Sequence, residues 1–330
     1  MKVWDLHCET LSELRYAENA GAPISFEHND LQLDLTRLQK GDYMLQCMAA
    51  FINLSRPDDP LVTALEEIDI FHRLLAQYAD RVAPVYTAAD IDKNAADGKI
   101  SLMLTVEEAG CCKGSIGVLR QLYQLGVRMM SLTWNHENEI AYPNVVPGSG
   151  GLIWPCLPNT ETGLKPCGEE FVAEMERLHM MVDVSHLSDK GFWDVVRCST
   201  RPFVASHSNC RALAPHCRNL TDEMIKVMAQ RGCLVGLNYC AGFLDNQPDP
   251  EQCKSRVSMV AAHAAYFKKL GGIEMIALGS DFDGIDGDLE MKSVADLPLL
   301  EQALRAHGFH ESEIEAIFHK NAIRFFQQNL

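Results

Sequence analysis

Short apolar runs alternate with stretches whose apolar residues recur every three to four positions, from one end of the 330-residue chain to the other. The short runs fall at residues 3–7, 43–51, 101–106, 128–133, 181–185, 203–206, 234–238 and 275–279. Their length and lack of a helical period predict strands. Between most of them, residues 61–78, 115–125, 169–179, 189–198, 221–231 and 258–270 carry a helical period. Ser188 stands where an N-cap would open the helix at Asp189, and Gly126, Gly232 and Gly271 follow helical runs as stop signals. The strands are apolar on both faces, the pattern of a parallel sheet covered on both sides. Eight strands in continuous strand-then-helix order predict an α/β fold, a closed (β/α)8 TIM barrel spanning residues 1–330 as a single domain. An open doubly wound sheet is the alternative, but that fold usually places a nucleotide-binding glycine loop after its first strand. Here the first strand runs into His7-Cys8-Glu9 instead. The one long irregular stretch, residues 142–168, is rich in Gly and Pro and follows the fourth strand. In a barrel it would overhang the C-terminal face, and a loop of that length is more often functional than filler.

Composition narrows the function classes. Hydrophobic residues make up 47% of the chain and charged residues 22%, enough apolar material for a large core. The formal net charge of −16 argues against a nucleic-acid backbone or an anionic membrane as the main partner. No apolar run is long enough to span a bilayer, and the start of the chain lacks the pattern of a secretory signal. Twelve cysteines raise the question of disulfides. Cys8, Cys47, Cys198, Cys233 and Cys240, however, lie in or beside apolar runs, where a reduced thiol behaves as a small hydrophobe. Cys111-Cys112 lacks the paired CxxC spacing of a zinc knuckle. A reduced, cytoplasmic enzyme is the expectation.

In a barrel, chemistry is built at the C-terminal ends of the strands. Strand one ends at His7 and Glu9, which stand two apart and so project from one side. Strand three ends at Glu107 and Glu108, strand four at Trp134, Asn135 and His136, strand five at His186, strand six at His207, and strand eight at Asp281 and Asp283. Each has an ordinary reading when taken singly: a hydrogen-bonded loop histidine, a helix N-terminal charge for Glu108, turn chemistry for Asp283 before Gly284. Their coincidence at one end of a closed barrel is what points to a site. Three imidazoles with three carboxylates suit two borderline metals such as Zn2+, one carboxylate bridging. A water held between two such ions ionises near neutral pH and can attack a carbonyl. Ser185 and Ser206 precede histidines but lie in no GxSxG elbow, and no HExxH occurs, so serine-hydrolase and thermolysin-like readings fail. His216 and Cys217 read as loop residues, and His263, His310 and His319 fall in helical patterns.

Several long segments, in order along almost the full chain, resemble the membrane (renal) dipeptidase family, the M19 metallopeptidases, in its cytoplasmic bacterial form. They are "LGVRMMSLTWNHENEIAY" (125–142), "GLKPCGEEFVAEMERLHMMVDVSHLSDKGFWDV" (163–195), "RPFVASHSNCRAL" (201–213) and "ALGSDFDG" (277–284). The resemblance implies a barrel of the metal-dependent hydrolase type with two zinc ions and hydrolysis of small dipeptides. It implies His7 and Glu9 on the first zinc, His186 and His207 on the second, and Glu107 bridging them. Asp281 would hold the substrate amine and manage protons, and Arg211 would pair with the dipeptide's free carboxylate through its guanidinium fork. A homodimer is also implied. Two departures stand out. Glu9 replaces the family's usual Asp, and Trp134 replaces a histidine thought to contact the substrate, with His136 as a substitute two residues on. Two rival functions keep the barrel. A deaminase or cyclic amidase would show His-x-His at strand one and often a modified Lys at strand four, and neither is present. A catalytically silent metal-binding or scaffold protein is supported only by the Glu9 and Trp134 departures.

Overall fold

Parallel pairing runs without a break from the first strand round to the last and back. In the computed structural model, which describes residues 1–146, 157–247 and 249–330, the barrel strands are β1 Val3–Asp5, β2 Tyr43–Phe51, β3 Ile100–Glu107, β4 Met129–Ser131, β5 Met181–Asp183, β6 Val204–Ala205, β7 Leu234–Leu237 and β8 Ile276–Leu278. β1 pairs with β2 (Trp4 opposite Leu45) and with β8 (Asp5 opposite Leu278), which closes the ring. The chain is a (β/α)8 barrel. A short strand at Val82–Pro84, absent from the sequence expectation, pairs with the N-terminal half of β3. It is only three residues long and contains a proline, so it carries no strand-length signal.

The helices follow the expected places, shifted by one to three residues at most ends. Asp59 accepts from the amides of Leu61 and Val62 and opens Pro60–Gln77, with Pro60 at the first helical position. Ser188 caps Asp189–Cys198 through a bond from the Gly191 amide, as expected. The stop at Gly271 is displaced: Val257–Gly271 is helical, and Gly272, at φ 90°, takes the left-handed position that ends it. Residues 147–156 of the long loop lie outside the described residues; the flanks of that stretch are joined by bridges Ala141–Leu164 and Val145–Pro158.

Two apolar layers hold the barrel. The outer one lies between strands and helices. The inner one fills the lower barrel with Trp4, Leu45, Met103, Met129, Met181 and Leu234. Methionine suits this tapering interior because its unbranched side chain adapts to irregular gaps. The C-terminal helix Asn321–Asn329 seals the bottom, with Phe326 stacked on Trp4 at 5.2 Å between ring centroids. Asn321 pins that helix by donating to the carbonyls of Ile273 (2.7 Å) and Ile276 (2.8 Å). Packing therefore occupies one end of the barrel, and the other end is left for polar chemistry. Among the described residues no helix is long and apolar enough to cross a membrane. No disulfide joins two of the described cysteines.

Glu67 links this scaffold to the polar end. Its fully buried carboxylate accepts from the Phe51 amide at the end of β2 (2.8 Å) and from Ser12 Oγ on the first helix (3.0 Å). Burial pushes its pKa up from 4.5 to about 8. The folded state therefore binds this proton more tightly than the unfolded chain, and stability contributed by the neutral form is lost as pH rises from about 4.5 through about 8. Glu67→Gln keeps the accepting oxygen and removes the titration. Its melting temperature should fall less than that of the wild type between pH 5 and pH 8.5, as measured by thermal denaturation; parallel curves would reject the assignment.

Candidate metal centre and active-site cavity

Two buried aspartates fix the backbone from which the polar end is built. Asp5, at the end of β1, accepts from the His7 amide (3.0 Å) and from the Ser280 amide (3.1 Å), tying the exit of β1 to that of β8. Asp183, at the end of β5, accepts from the amides of Ser185 (3.0 Å) and Ser206 (2.9 Å) and from the hydroxyls of Ser131 (2.8 Å) and Ser206 (2.5 Å). Five strand ends, those of β1, β4, β5, β6 and β8, thus converge on two carboxylates. Burial raises the Asp5 carboxyl to about 6, against the hydrogen bonds from His7 and Ser280.

The imidazoles above them are oriented by hydrogen bonds to their far nitrogens. His207 Nδ1 lies 2.7 Å from Ser206 Oγ. That hydroxyl already donates to Asp183, so it accepts from His207, which leaves the His207 Nε2 lone pair free. His186 Nδ1 lies 2.9 Å from Asn135 Oδ1, with the same result for its Nε2. These nitrogens face Glu107, the last residue of β3, which is 1% exposed. Glu107 divides its two oxygens: Oε1 is 3.1 Å from His186 Nε2 and 3.4 Å from His207 Nε2, while Oε2 is 3.1 Å from His7 Nε2. Asp281 Oδ1 is 3.6 Å from His7 Nε2, and Asp281 Oδ2 accepts from Asn238 (3.0 Å). The donor atoms of three groups lie within 4.8 Å of one another: His7, Glu9 and Glu107; Glu107, His186 and His207; His7, His207 and Asp281. Both oxygens of Glu107 and Nε2 of His7 are buried without a hydrogen bond of proper geometry. Such orphaned atoms are costly, and their lone pairs converge on shared space, as a divalent cation requires. The donor set fits one or more such ions.

Electrostatics points the same way. Burial favours the neutral form of every group here. It raises Glu9 well above the ordinary range, helped by Glu107 and Asp281, and it raises Asp281. His186 is pressed down to about 4 by burial and by nearby Arg218. His207 is likewise driven well below its usual value, by burial and by His7. His7 moves the other way: burial opposes its charge, but the Glu107 and Asp281 carboxylates lift it to about 9. Against its burial, Glu107 is held low, above all by the charge of His7. Three carboxylates thus crowd one region with a single imidazole, His7, favoured in its charged form, so the set is short of positive charge. Two site residues also carry backbone strain, His186 and Asp281 both at φ 66°. Non-glycine residues held there cost about 1–3 kcal/mol each and cluster where geometry serves function.

A cavity of about 580 Å3 opens onto this cluster, lined by Glu9, Trp134, His186, Cys240, Phe243 and Asp281 among others. It is large enough for a small ligand. Glu9 reaches it because residue 284 has no side chain: a Cβ there would lie 2.5 Å from Glu9 Oε1 and 2.9 Å from Asp281 Oδ1. Trp134 forms part of the wall, 6.0 Å from the His186 ring and edge-on to Phe51. His136 packs at a tilt against Trp134, 5.8 Å between ring centroids, and does not line the cavity. Asp283 is held by Thr10 Oγ1 (2.6 Å) and the Gln32 amide (2.7 Å), a structural pairing.

Arg211 sits differently from the free fork expected of a carboxylate clamp. It grips Asp189 bidentately (2.6 and 2.7 Å) and donates to the carbonyls of Asn219 and Cys217. The arginine placed beside the cluster is Arg218, which sequence reasoning passed over. It is 3% exposed and donates to the His207 carbonyl (2.8 Å) and Ser208 Oγ (3.3 Å). Its Nε is buried without a partner, and it packs 5.2 Å from the ring of Phe243 in the cavity wall. No signal in the sequence set it apart, because its bond to the His207 carbonyl exists only once the chain has folded.

Comparison with known proteins agrees with this geometry. Residues 1–329 match the membrane dipeptidase family, peptidase family M19. A Klebsiella pneumoniae protein described as an uncharacterized protein in the pqqA 5' region is 34% identical, over 82% of this chain and 97% of its own length. Dipeptidase aclJ of Aspergillus oryzae is 31% identical, over 90% of this chain and 70% of its own. The crystal structure of a metallo peptidase from Rhodobacter sphaeroides, liganded with a phosphinate mimic of the dipeptide L-Ala-D-Ala, superposes with a TM-score of 0.91 at 26% identity and covers 100% of this chain and 99% of that one. The chain belongs to the membrane dipeptidase family, peptidase family M19, and is a metallo-dipeptidase.

Proposed function

We propose that the enzyme hydrolyses small dipeptides with a free C-terminal carboxylate, using two divalent ions of the zinc class. The observation that carries this reading is the division of Glu107, one oxygen turned to His186 and His207 and the other to His7. His7 and Glu9 would hold one ion, His186 and His207 the other, and Glu107 both. When bound, such a pair supplies a Lewis acid for the carbonyl and a water ionised near neutral pH. The protein's own groups do the rest. Asp281 keeps Oδ1 toward the cluster while Asn238 holds Oδ2. From there it can take a proton and return it to the leaving amine. Trp134 and Phe243 exclude water from the cavity walls.

For the substrate carboxylate we assign Arg218 in place of Arg211. Its unpartnered buried Nε and its position beside the cavity wall support the choice, whereas the fork of Arg211 is already closed on Asp189. The ligand of the Rhodobacter sphaeroides relative supports dipeptides, and L-Ala-D-Ala is a suitable first substrate.

Glu107→Gln should lose both bound metal and turnover. Outer partners of metal ligands alone are worth roughly 10–100-fold, so removing a shared ligand should cost more than that in kcat. Zinc content by atomic absorption and hydrolysis of L-Ala-D-Ala check it; unchanged values of both would remove Glu107 from the bridge. Arg218→Met should raise KM for free dipeptides by about 10–100-fold, the worth of a charge-assisted hydrogen bond, and spare their C-terminal amides. Arg211→Met should instead lower the melting temperature and leave the ratio between acid and amide substrates unchanged. The reverse pattern would restore Arg211 as the clamp.

A further inference from the structure

Glu108, next to the shared carboxylate, is the N-cap of the single turn Ala109–Cys112, its Oε1 accepting from the Gly110 amide at 2.8 Å. Capping alone leaves three features unexplained. Glu108 sits at φ 94°, where glycine is the residue of choice. It is fully buried. Its carboxylate also accepts from two groups on the loop after β4: the Trp134 amide on Oε2 (2.7 Å) and Asn138 Nδ2 on Oε1. Asn138 holds the same loop from within. It donates to the Leu132 carbonyl (2.8 Å) and accepts from the amides of Ile140 (2.7 Å) and Ala141 (2.9 Å). A residue that only capped a turn could be Ser or Asp and need not adopt this backbone.

The connection has a direction. Trp134 is followed by Asn135, whose Oδ1 meets His186 Nδ1 and turns its Nε2 toward Glu107. The preceding residue, Thr133, donates to the His186 carbonyl (3.2 Å). One side chain therefore links the end of β3, which carries Glu107, to the loop that orients His186 beyond β5. We propose that Glu108 is a positioning residue that sets the spacing between Glu107 and His186, acting through the Trp134 amide and Asn135. The inference rests on the two-metal reading above.

Glycine is the informative substitution, because it suits the left-handed backbone and removes only the carboxylate. Glu108→Gly should fold with a melting temperature within a few degrees of wild type. Its affinity for the more weakly held Zn2+ should fall about 10–100-fold, measured by chelator competition, and excess Zn2+ should restore most of kcat. Asn135→Ala should weaken the same ion, and the double variant should bind no worse than the weaker single variant, since the two residues lie on one path. Glu108→Gln, which keeps an accepting oxygen for Trp134, should lie between wild type and glycine; it takes the place of glycine in the cycle if Glu108→Gly does not fold. Wild-type zinc affinity in the Glu108 variant, or additive losses in the double variant, would overturn the proposal. Wild-type protein that takes up no Zn2+ would overturn the two-metal reading, and this inference with it.

Discussion

A carboxylate buried at the last position of β3 is the constraint around which the rest of this molecule is arranged. Glu107 stays ionised in an interior where an unpaired charge is expensive. What makes its charge tolerable is His7, at the end of β1, lifted to about 9 beside the carboxylates, while His186 and His207 face Glu107 from the ends of β5 and β6. To hold a metal ion, the latter two must arrive with a lone pair turned inward. This explains the polar residues beneath and beside them: Asp183 acts on His207 through Ser206, and Asn135 acts on His186. The protein alone leaves Glu9, Glu107 and Asp281 with too little positive charge, and burial answers by pushing Glu9 and Asp281 toward their neutral forms. Divalent ions would reverse that tendency and let all three act as anions.

The barrel separates this demand from stability. Below the cluster, Trp4, the methionine layer and Phe326 form a dry plug that needs no polar group from above. Beside the cluster, at the upper end, His186, Asp281 and Glu108 carry strained backbone. Left-handed backbone at a few such positions costs about 1–3 kcal/mol each, comparable to the burial of one or two large apolar side chains. The plug and the outer layer can absorb it.

Much of this was legible in the residues because barrel architecture turns sequence position into spatial position. Once eight apolar runs are recognised, a histidine just after the fifth and another just after the sixth must be neighbours, which is why His186 and His207 stood out together. What was not legible depends on which of two similar groups a distant partner reaches first. Arg211 and Arg218 lie seven positions apart in one loop, and nothing local says that Asp189 closes the first and leaves the Nε of the second without a partner. Trp134 and His136 pose the same problem: the choice of which one faces the cavity is made by packing against Phe51. Glu108 read as an ordinary helix-start charge because a positive φ leaves no trace in side-chain chemistry. The strand Val82–Pro84 was hidden by its shortness.

The contact between Glu9 and residue 284 couples two distant positions of the chain. The longer acid at position 9 occupies the volume that any side chain at 284 would need. Neither position is therefore free to drift alone. A glutamate at position 9 requires a bare backbone opposite it, and Asp281 Oδ1, 2.9 Å from the same point, holds residue 284 to glycine from the other side. The two positions lie 275 residues apart in the chain, yet they form one steric unit.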